Sequence, residues 1–546
     1  MPQPDSVNEI IQRVDALKSE RSLWESWWDQ LAFYCLPRKR DFISQQPSGQ
    51  KYPANVYDTT ARRSLNIMAA GFMSHMTSPA RRWFMLRFGD PALQQNQDAA
   101  KWLDDVEDAV YDVLATSNFY TQIHELYLDF GTFGTVGMYS EDDPIDKVRY
   151  YARPISELLF EEDAGGRIVR VYRSFKLTCA QAYDEWGEAA GENVKKAYAA
   201  KKLSEEFWFI HAVGKRTKRD ASKDDAPNKE YYSKWINQSE KHLIREGGYN
   251  EMPFHIVRFD KKTGEKHGYS PAMDALPDIK MVNAQKETLI RAGQKLVDPP
   301  LEVPHDGFMM PISFEPGAIN YRESSLNPQS DHITPINTEG NIPIGIDLIK
   351  MTQEDIRAAF FADMFLLLAG VHQNMTATEV VERIAERMLI VGPVIGRLSV
   401  ELLTQVIART VNILARQGLI PKPPPGVPAD YKVEYVSELA LAQKAVELTS
   451  LTEWLTFVSM LAQADPQVFD LIDLDEMVEI AARIKGVDPD LLRNADDVLG
   501  RRQERNQFQQ IQAVLALADQ TATTAKTGAE AMKVEQESGA AVTTTR

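Results

Sequence analysis

The chain has 546 residues, a formal charge of −17 and an ordinary globular composition, 44% hydrophobic and 25% charged. Its 78 acids against 61 bases argue against a protein that grips nucleic acid through a broad basic face. Two cysteines, Cys35 and Cys179, have neither metal-ligand spacing nor a disulfide framework, which points to buried thiols and a reducing compartment. The N-terminus lacks the basic-then-apolar pattern of a signal peptide. The longest apolar run, residues 364–371, is far below the ~20 residues of a membrane span, so a soluble chain is expected.

Residues 5–36 read as one helix. Val7, Ile10, Ile11, Val14, Leu17, Trp24, Trp27, Trp28 and Leu31 mark a broad apolar face, and Pro37 ends it. A second helix is capped near Asp58, stops at Ser78-Pro79 and runs into an aromatic, basic, strand-like segment over 81–88. Helices follow over 99–115 and about 121–133, and Gly131, Gly134 and Gly137 suggest a close-packed turn into a strand. Over 148–262 the period becomes two, in 148–160, 166–178, 205–215, 229–238 and 252–260, the pattern of half-buried strands. A short helix at 180–186 and a charged, exposed loop at 215–229 interrupt them.

The stretch 268–418 organises the rest. Ser270 followed by Pro271 is an N-cap with proline at the first helical position, and Pro277 restarts or kinks that helix. Residues 278–297 make a rod of roughly 30 Å, ended by Asp298-Pro299-Pro300. The insertion that follows, to residue 345, is proline-rich and acidic, with seven acids against Arg322 alone, counting from Asp298. Residues 301–304 and 332–337 read as short strands and the remainder as turns. A second long helix closes at Gly370, a residue suited to the left-handed conformation past a helix end. Thr376 with Glu379 is a capping-box pattern that opens a third helix, which contains Gly392-Pro393. A stiff linker, PKPPPGVP, leads to a strand at 431–436 that returns to the earlier sheet. Residues 438–500 are helical and acidic; the span 430–500 holds fifteen acids against five bases. The tail from Arg501 is polar and Ala/Gln/Thr-rich.

Chemistry-bearing motifs are scarce. There is no phosphate loop, HExxH, CxxC or nucleophile elbow, and the nine histidines are scattered. Glu161-Glu162-Asp163 ahead of Gly165-Gly166 reads as a solvated turn rather than a cation site. Arg38-Lys39-Arg40 and Arg81-Arg82 read as anchors beside aromatics rather than phosphate contacts. A structural machine therefore outweighs an enzyme, and no cofactor is expected.

Several stretches resemble the head-to-tail connector, or portal, family of short-tailed bacteriophages. They are VYDTTARRSLNIMAAGFMSHMTSPARRWF, SNFY, DFGTFGTVGMYSEDD, SPAMDALPDIKMVN, VDPPLEVP, MTATEV and GPVIGRL, in order over some 350 residues. The resemblance implies a mainly α portal fold with an α+β wing. The wing would be residues 1–268, stem helices 269–297 and 346–370, and the clip between them 298–345. Residues 371–375 would form a tunnel loop, 376–418 a kinked tunnel helix, 419–437 a linker and return strand to the wing, 438–500 a crown, and 501–546 a C-terminal helix, barrel or tail. It implies a dodecameric ring at a capsid vertex of the virion, assembled in the host bacterial cytoplasm. Double-stranded DNA would pass through without sequence specificity, for packaging, retention and ejection. The implied partners are terminase, capsid and scaffolding proteins, tail adaptors and internal core proteins, with no membrane. Val371, His372, Gln373, Asn374 and Met375 would face the channel, and Gly392 and Pro393 would kink the tunnel helix. Phe360, Phe361 and Phe365 would meet neighbouring subunits. Phe308, Phe314, Tyr321 and Arg322 would lie on the adaptor-docking clip. The competing expectation is a nuclease or ATPase subunit of the packaging motor, which lacks its phosphate loop here.

Overall fold

The computed structural model describes residues 6–43, 55–90, 96–305 apart from 221 and 224, 313–323, 332–336, 342–369, 391–435 and 454–460, with a few isolated residues elsewhere. Helix α1 (Val7–Cys35) opens with a capping box in which Ser6 and Glu9 exchange side-chain and backbone hydrogen bonds. Helix α2 (Thr60–Met76), strand β1 (Phe84–Arg87), α3 (Gln97–Thr116) and α4 (Phe119–Phe133) follow. Gly134, at φ 71°, ends α4 in the left-handed conformation and turns the chain into β2. Its neighbours there are the backbone atoms of Gly268 and Tyr269, so a side chain has no room.

The alternating region forms two antiparallel sheets. β2 (Thr135–Asp143) lies between β3 (Lys147–Arg153) and β9 (Phe254–Arg258). The five-stranded sheet runs in sequence order: β4 (Leu158–Glu162), β5 (Ile168–Thr178), β6 (Glu206–Lys215), β7 (Tyr231–Asn237) and β8 (His242–Tyr249). Two short helices, α5 (Cys179–Trp186) and α6 (Glu192–Ala199), connect β5 to β6. One face of this sheet packs under α1, where Ile10, Val14 and Leu17 meet Leu159, Tyr172, Ile210 and Ala212. Elsewhere Phe175 and Phe209 pack with Cys179, Ala182 and Val194 of α5 and α6. Arg21 of α1 fixes the approach by donating to the carbonyls of Ile155, Ser156 and Leu158.

The rest comprises α7 (Pro271–Val297), β10 (Leu301–His305), β11 (Ile319–Glu323), β12 (Thr334–Pro335), α8 (Ile342–Ala359), α9 (Ala362–Ala369), α10 (Val391–Gln417) and β13 (Lys432–Tyr435). Helix and sheet share the described chain, so the class is mixed α/β, with strands outside the N-terminal lobe as well. Two compact units emerge. One joins residues 1–87 to 101–454, and the other joins 88–100 to 455–546. The described part of the second is short helical stretches.

Several expectations change. The strand at 432–435 does return to the 1–268 stretch, but it pairs antiparallel with β1, Phe84 opposite Tyr435, in a two-stranded ribbon rather than in the earlier sheets. Glu161 and Glu162 are not a solvated turn: Glu161 pairs with Arg13 and Arg170, and Glu162 with Arg258 and Lys261. Asp163 alone makes the turn, accepting the N–H groups of Gly165 and Arg167. Both cysteines are buried, and burial pushes the Cys35 thiol up to about 12. The basic clusters are indeed anchors, Lys39 on Asp129 and Glu125, Arg40 on Asp29, and Arg82 on Glu107.

Candidate functional site

Helix α7 starts where Ser270 accepts the Met273 N–H, and it runs as one element for 27 residues with Pro277 inside it. Pro277 has no N–H for the Met273 carbonyl, yet the helix neither stops nor restarts there. α8 packs against α7, and a polar joint ties both to the start of α2. Asp58 accepts from the Thr60 N–H at 2.7 Å, Lys286 Nζ of α7 at 2.7 Å and Gln353 Nε2 of α8 at 2.7 Å. Asn283 of α7 completes the joint, accepting from the Tyr57 N–H and donating to the Asn55 carbonyl. Burial pushes the Asp58 carboxyl up, but these donors outweigh it and hold the group below the usual carboxylate range. The ionised form therefore stabilises the joint above the unfolded-state pKa, and that stability is lost as pH falls through the lower folded value. Asp58→Ala is expected to cost about 3 kcal/mol by leaving Lys286 and Gln353 without their acceptor. Thermal denaturation and faster amide exchange over 342–359 measure it; unchanged exchange there would show that the joint does not hold α8.

α8 is apolar on two sides. Ile349, Thr352 and Ile356 are buried against the chain, while Ile344, Leu348 and Met351, at i, i+4 and i+7, are exposed, Met351 by 62%. The expected helix over 346–370 is interrupted: α8 ends at Ala359, and Phe361 adopts a left-handed φ of 55° before α9 begins. That turn buries Phe360 completely and Phe365 almost completely within the chain. The Phe365 ring packs tilted against Phe72, centroids 5.5 Å apart, and lies over Gly71, whose missing side chain makes the space. Phe360 and Phe365 are thus core residues of this chain rather than a face left for a neighbouring subunit. Phe361 alone of the three is partly exposed.

Between the two helices β10 pairs parallel with β11 and antiparallel with β12. The strand at 301–305 and the pairing at 334–335 match the expectation; β11 was hidden among turn residues. Buried Asn320 organises the preceding turn, accepting the Ser313 N–H at 2.6 Å and donating to the Ser313 carbonyl at 2.8 Å. Phe314, Ile319, Tyr321 and Ile333 stand exposed, Phe314 by 53%. Arg322 is half-buried, 3.8 Å from Glu302. Phe308 lies outside the described residues.

Residues 371–375, with the capping pair Thr376 and Glu379, also lie outside them. Gly392 and Pro393 fall in the first described turn of α10, so the bond back to residue 389 that Pro393 would remove is outside too. Sequence reasoning missed a different irregularity, a π turn at Leu398–Leu403. There the Ser399 carbonyl accepts from both the Thr404 N–H and the Tyr435 hydroxyl, the latter at 3.0 Å. The π turn aims Glu401 at Arg258, whose guanidinium it meets at 3.0 Å and whose N–H it accepts at 3.1 Å. α10 is long and apolar enough to cross a membrane by length and composition. Half of its most apolar stretch is buried in this chain, and Arg409 donates to the Ser140 carbonyl and pairs with Glu251. It is used here as a packed helix.

Among the described residues no group of three or more His, Cys, Asp or Glu is arranged to hold a metal ion. What the geometry offers is surfaces. A polar joint carries two long helices, one helix keeps an exposed apolar stripe, and a small sheet displays aromatics.

The sequence pattern of the bacteriophage head to tail connecting protein family matches residues 7–492, and the chain belongs to that family. Its function is that of a portal, a structural connector of the phage particle. A probable portal protein of Bordetella phage BPP-1 is 32% identical over 522 residues, covering 94% of each chain. The portal protein of Salmonella phage epsilon15 is 29% identical over 531 residues, covering 95% of each. Family membership displaces the packaging-motor nuclease or ATPase as the competing reading, and it makes the chain a virion component with capsid and tail partners.

Proposed function

We propose that twelve copies close into a ring at one capsid vertex, with DNA moving through the axis and the tail attached beneath. The exposed Ile344–Leu348–Met351 stripe supports this most directly, because a side of α8 turned away from its own core asks for a second protein surface. A closed ring uses two different complementary faces per subunit, and only one of them has to be this stripe. Residues 1–268 would form the wing, α7 and α8 the stem, 298–345 the clip and α10 the tunnel helix. Residues 371–375 would be the loop facing the bore, 438–500 the crown and 501–546 a C-terminal helix or barrel. A surplus of 17 negative charges suits a bore that does not trap phosphates. A terminase would supply the pumping, scaffolding protein would assist assembly in the host cytoplasm, and internal core proteins would meet the crown. Negative-stain images of the purified chain test the assembly: rings with an axial hole support it, and a uniform monomer at high concentration removes it.

The small sheet is the proposed docking surface for tail adaptors, since Phe314 and Tyr321 are exposed aromatics of the kind that anchor interfaces. Phe314→Ser with Tyr321→Ser should leave rings intact and lower adaptor affinity by at least about 2 kcal/mol, roughly 30-fold. Adaptor co-sedimenting with the variant at wild-type stoichiometry and affinity would move the docking site elsewhere.

A further inference from the structure

α8 breaks where its own sequence favours continuation. Residues 346–369 contain no glycine or proline, and the alanines and leucines on both sides of the break are strong helix formers. The helix nevertheless stops at Ala359 and α9 starts at Ala362. Between them Phe361 holds a φ of 55°, a left-handed conformation that a bulky side chain rarely adopts. Its N–H donates to the Ala358 carbonyl at 3.0 Å, three residues back, where a continued helix would use the carbonyl of Arg357. The Phe365 N–H then donates to the Phe361 carbonyl at 3.2 Å, inside the next helix.

What holds the break lies outside the helix. Phe360 and Ala362 are fully buried, and Met364 and Phe365 nearly so. The Phe365 ring rests on α2, 5.5 Å from the ring of Phe72 and 6.2 Å from that of His75. It fills the place where a Cβ of residue 71 would stand, so the seat exists only because α2 has a glycine there. Local preference and tertiary packing therefore pull this segment in opposite directions, and packing wins only while Phe365 stays seated.

We propose that the α8–α9 break is a two-state joint, bent while Phe365 is seated on Gly71 and Phe72, and closing into one continuous helix when that seat is lost. Straightening relieves the left-handed Phe361 and restores the four-residue hydrogen-bond spacing. It also swings α9, eight residues and about 12 Å long, away from α2. The exposed surface changes with it. In a continuous helix Leu366 stands eighteen residues, and so five turns, beyond Leu348, in line with Ile344 and Met351. The joint thus sets the length of the exposed apolar stripe on α8.

Spin labels read the bend in the full-length chain. Lys350→Cys and Leu366→Cys carry them, and labelled chains are diluted in unlabelled ones so that only pairs within one chain are measured. The native Cys35 and Cys179 are fully buried and stay unlabelled. A continuous helix separates the two backbone positions by about 24 Å, from sixteen residues at ~1.5 Å each, and the bent form brings them closer. Wild type should give the short distance. Gly71→Ala crowds Phe365 out while placing a good helix former in α2, and should move most of the population to the long one. Phe361→Gly and Phe361→Ala both lose the ring, but only glycine enters the left-handed region freely. The ratio of bent to straight chains should therefore be at least about tenfold higher in the glycine variant, which should also melt above the alanine variant. Gly71→Ala with the wild-type distance distribution would overturn the joint, because the bend would not depend on the seat. Phe361→Gly melting below Phe361→Ala, the ordinary order inside a helix, would overturn it as well, and this comparison decides alone if Gly71→Ala does not fold.

Discussion

Replacing Leu348 and Met351 by aspartate is expected to leave the chain folded and to abolish the ring. Both side chains stand on the solvent side of α8 in the single chain, Leu348 49% and Met351 62% exposed, so their removal takes little from the core. At an interface each would bury an apolar group worth roughly 1.5–3 kcal/mol, and an unpaired carboxylate there adds a desolvation penalty of several kcal/mol. The loss recurs at every contact around a closed assembly, so the effect on ring yield is far larger than on any one pair. Native mass spectrometry should show monomers, with a thermal midpoint close to the dissociated wild-type chain. Intact rings in the double variant would mean that the stripe faces something else. Phe365→Ala separates the two kinds of residue. It should cost about 3–5 kcal/mol of folding stability, because its ring fills the space against Phe72 and Gly71 inside one chain.

What local pattern dictates was legible. The boundaries of α1 follow from a wide apolar face and a proline, and those of α7 from Ser270-Pro271 at one end and Asp298-Pro299 at the other. β5, β6 and β7 announced themselves by alternation. β8 did not, because His242–Tyr249 carries two glycines and the charged pair Arg245 and Glu246, and none of its residues is fully buried. The break at Phe361 was invisible for a deeper reason: no local preference puts phenylalanine at positive φ, and only the burial of Phe360, and of Phe365 against Phe72 of α2, explains it. The π turn was hidden likewise, since one extra residue in a turn barely disturbs the apolar period. Its partners, Arg258 and Tyr435, lie 143 and 36 residues away from the groups they meet. The exposed stripe on α8 was readable in principle. Residues 344–356 carry apolar side chains on two helical faces, and one long-helix neighbour covers only one.

Lowering the pH from 7 to 5 is expected to destabilise the chain steeply, through three histidines rather than through its many acids. His211, His255 and His267 are each at most 8% exposed. Burial, reinforced by neighbouring arginines, holds the His255 and His267 imidazoles down to about 3 and His211 well below its ordinary value. Their hydrogen bonds suit neutral rings: His211 Nε2 meets the Ser233 hydroxyl at 2.9 Å, and His255 Nε2 meets that of Ser140 at 3.2 Å. The folded pKa lies below the unfolded value near 6.5, so the unfolded state binds more protons throughout the interval between them. Stability is therefore full above the unfolded pKa and falls as pH drops through that interval. Each histidine contributes a slope approaching about 1.4 kcal/mol per pH unit, and three together about 4 kcal/mol per unit. Against a total of about 5–15 kcal/mol, a slope of that order moves the denaturant midpoint visibly between pH 7 and 5. Buried Glu107 and Asp129 and half-buried Glu141 oppose this, because desolvation raises their pKa and favours the protonated form in the fold. Their offset grows toward the ordinary carboxylate range, so the histidine slope dominates nearer neutrality. Denaturant midpoints at pH 7, 6 and 5 read the slope directly. His267→Gln should remove about a third of it, because a neutral amide has no proton to gain on unfolding. A midpoint that stays flat between pH 7 and 5 would show that the three imidazoles are not held neutral by the fold.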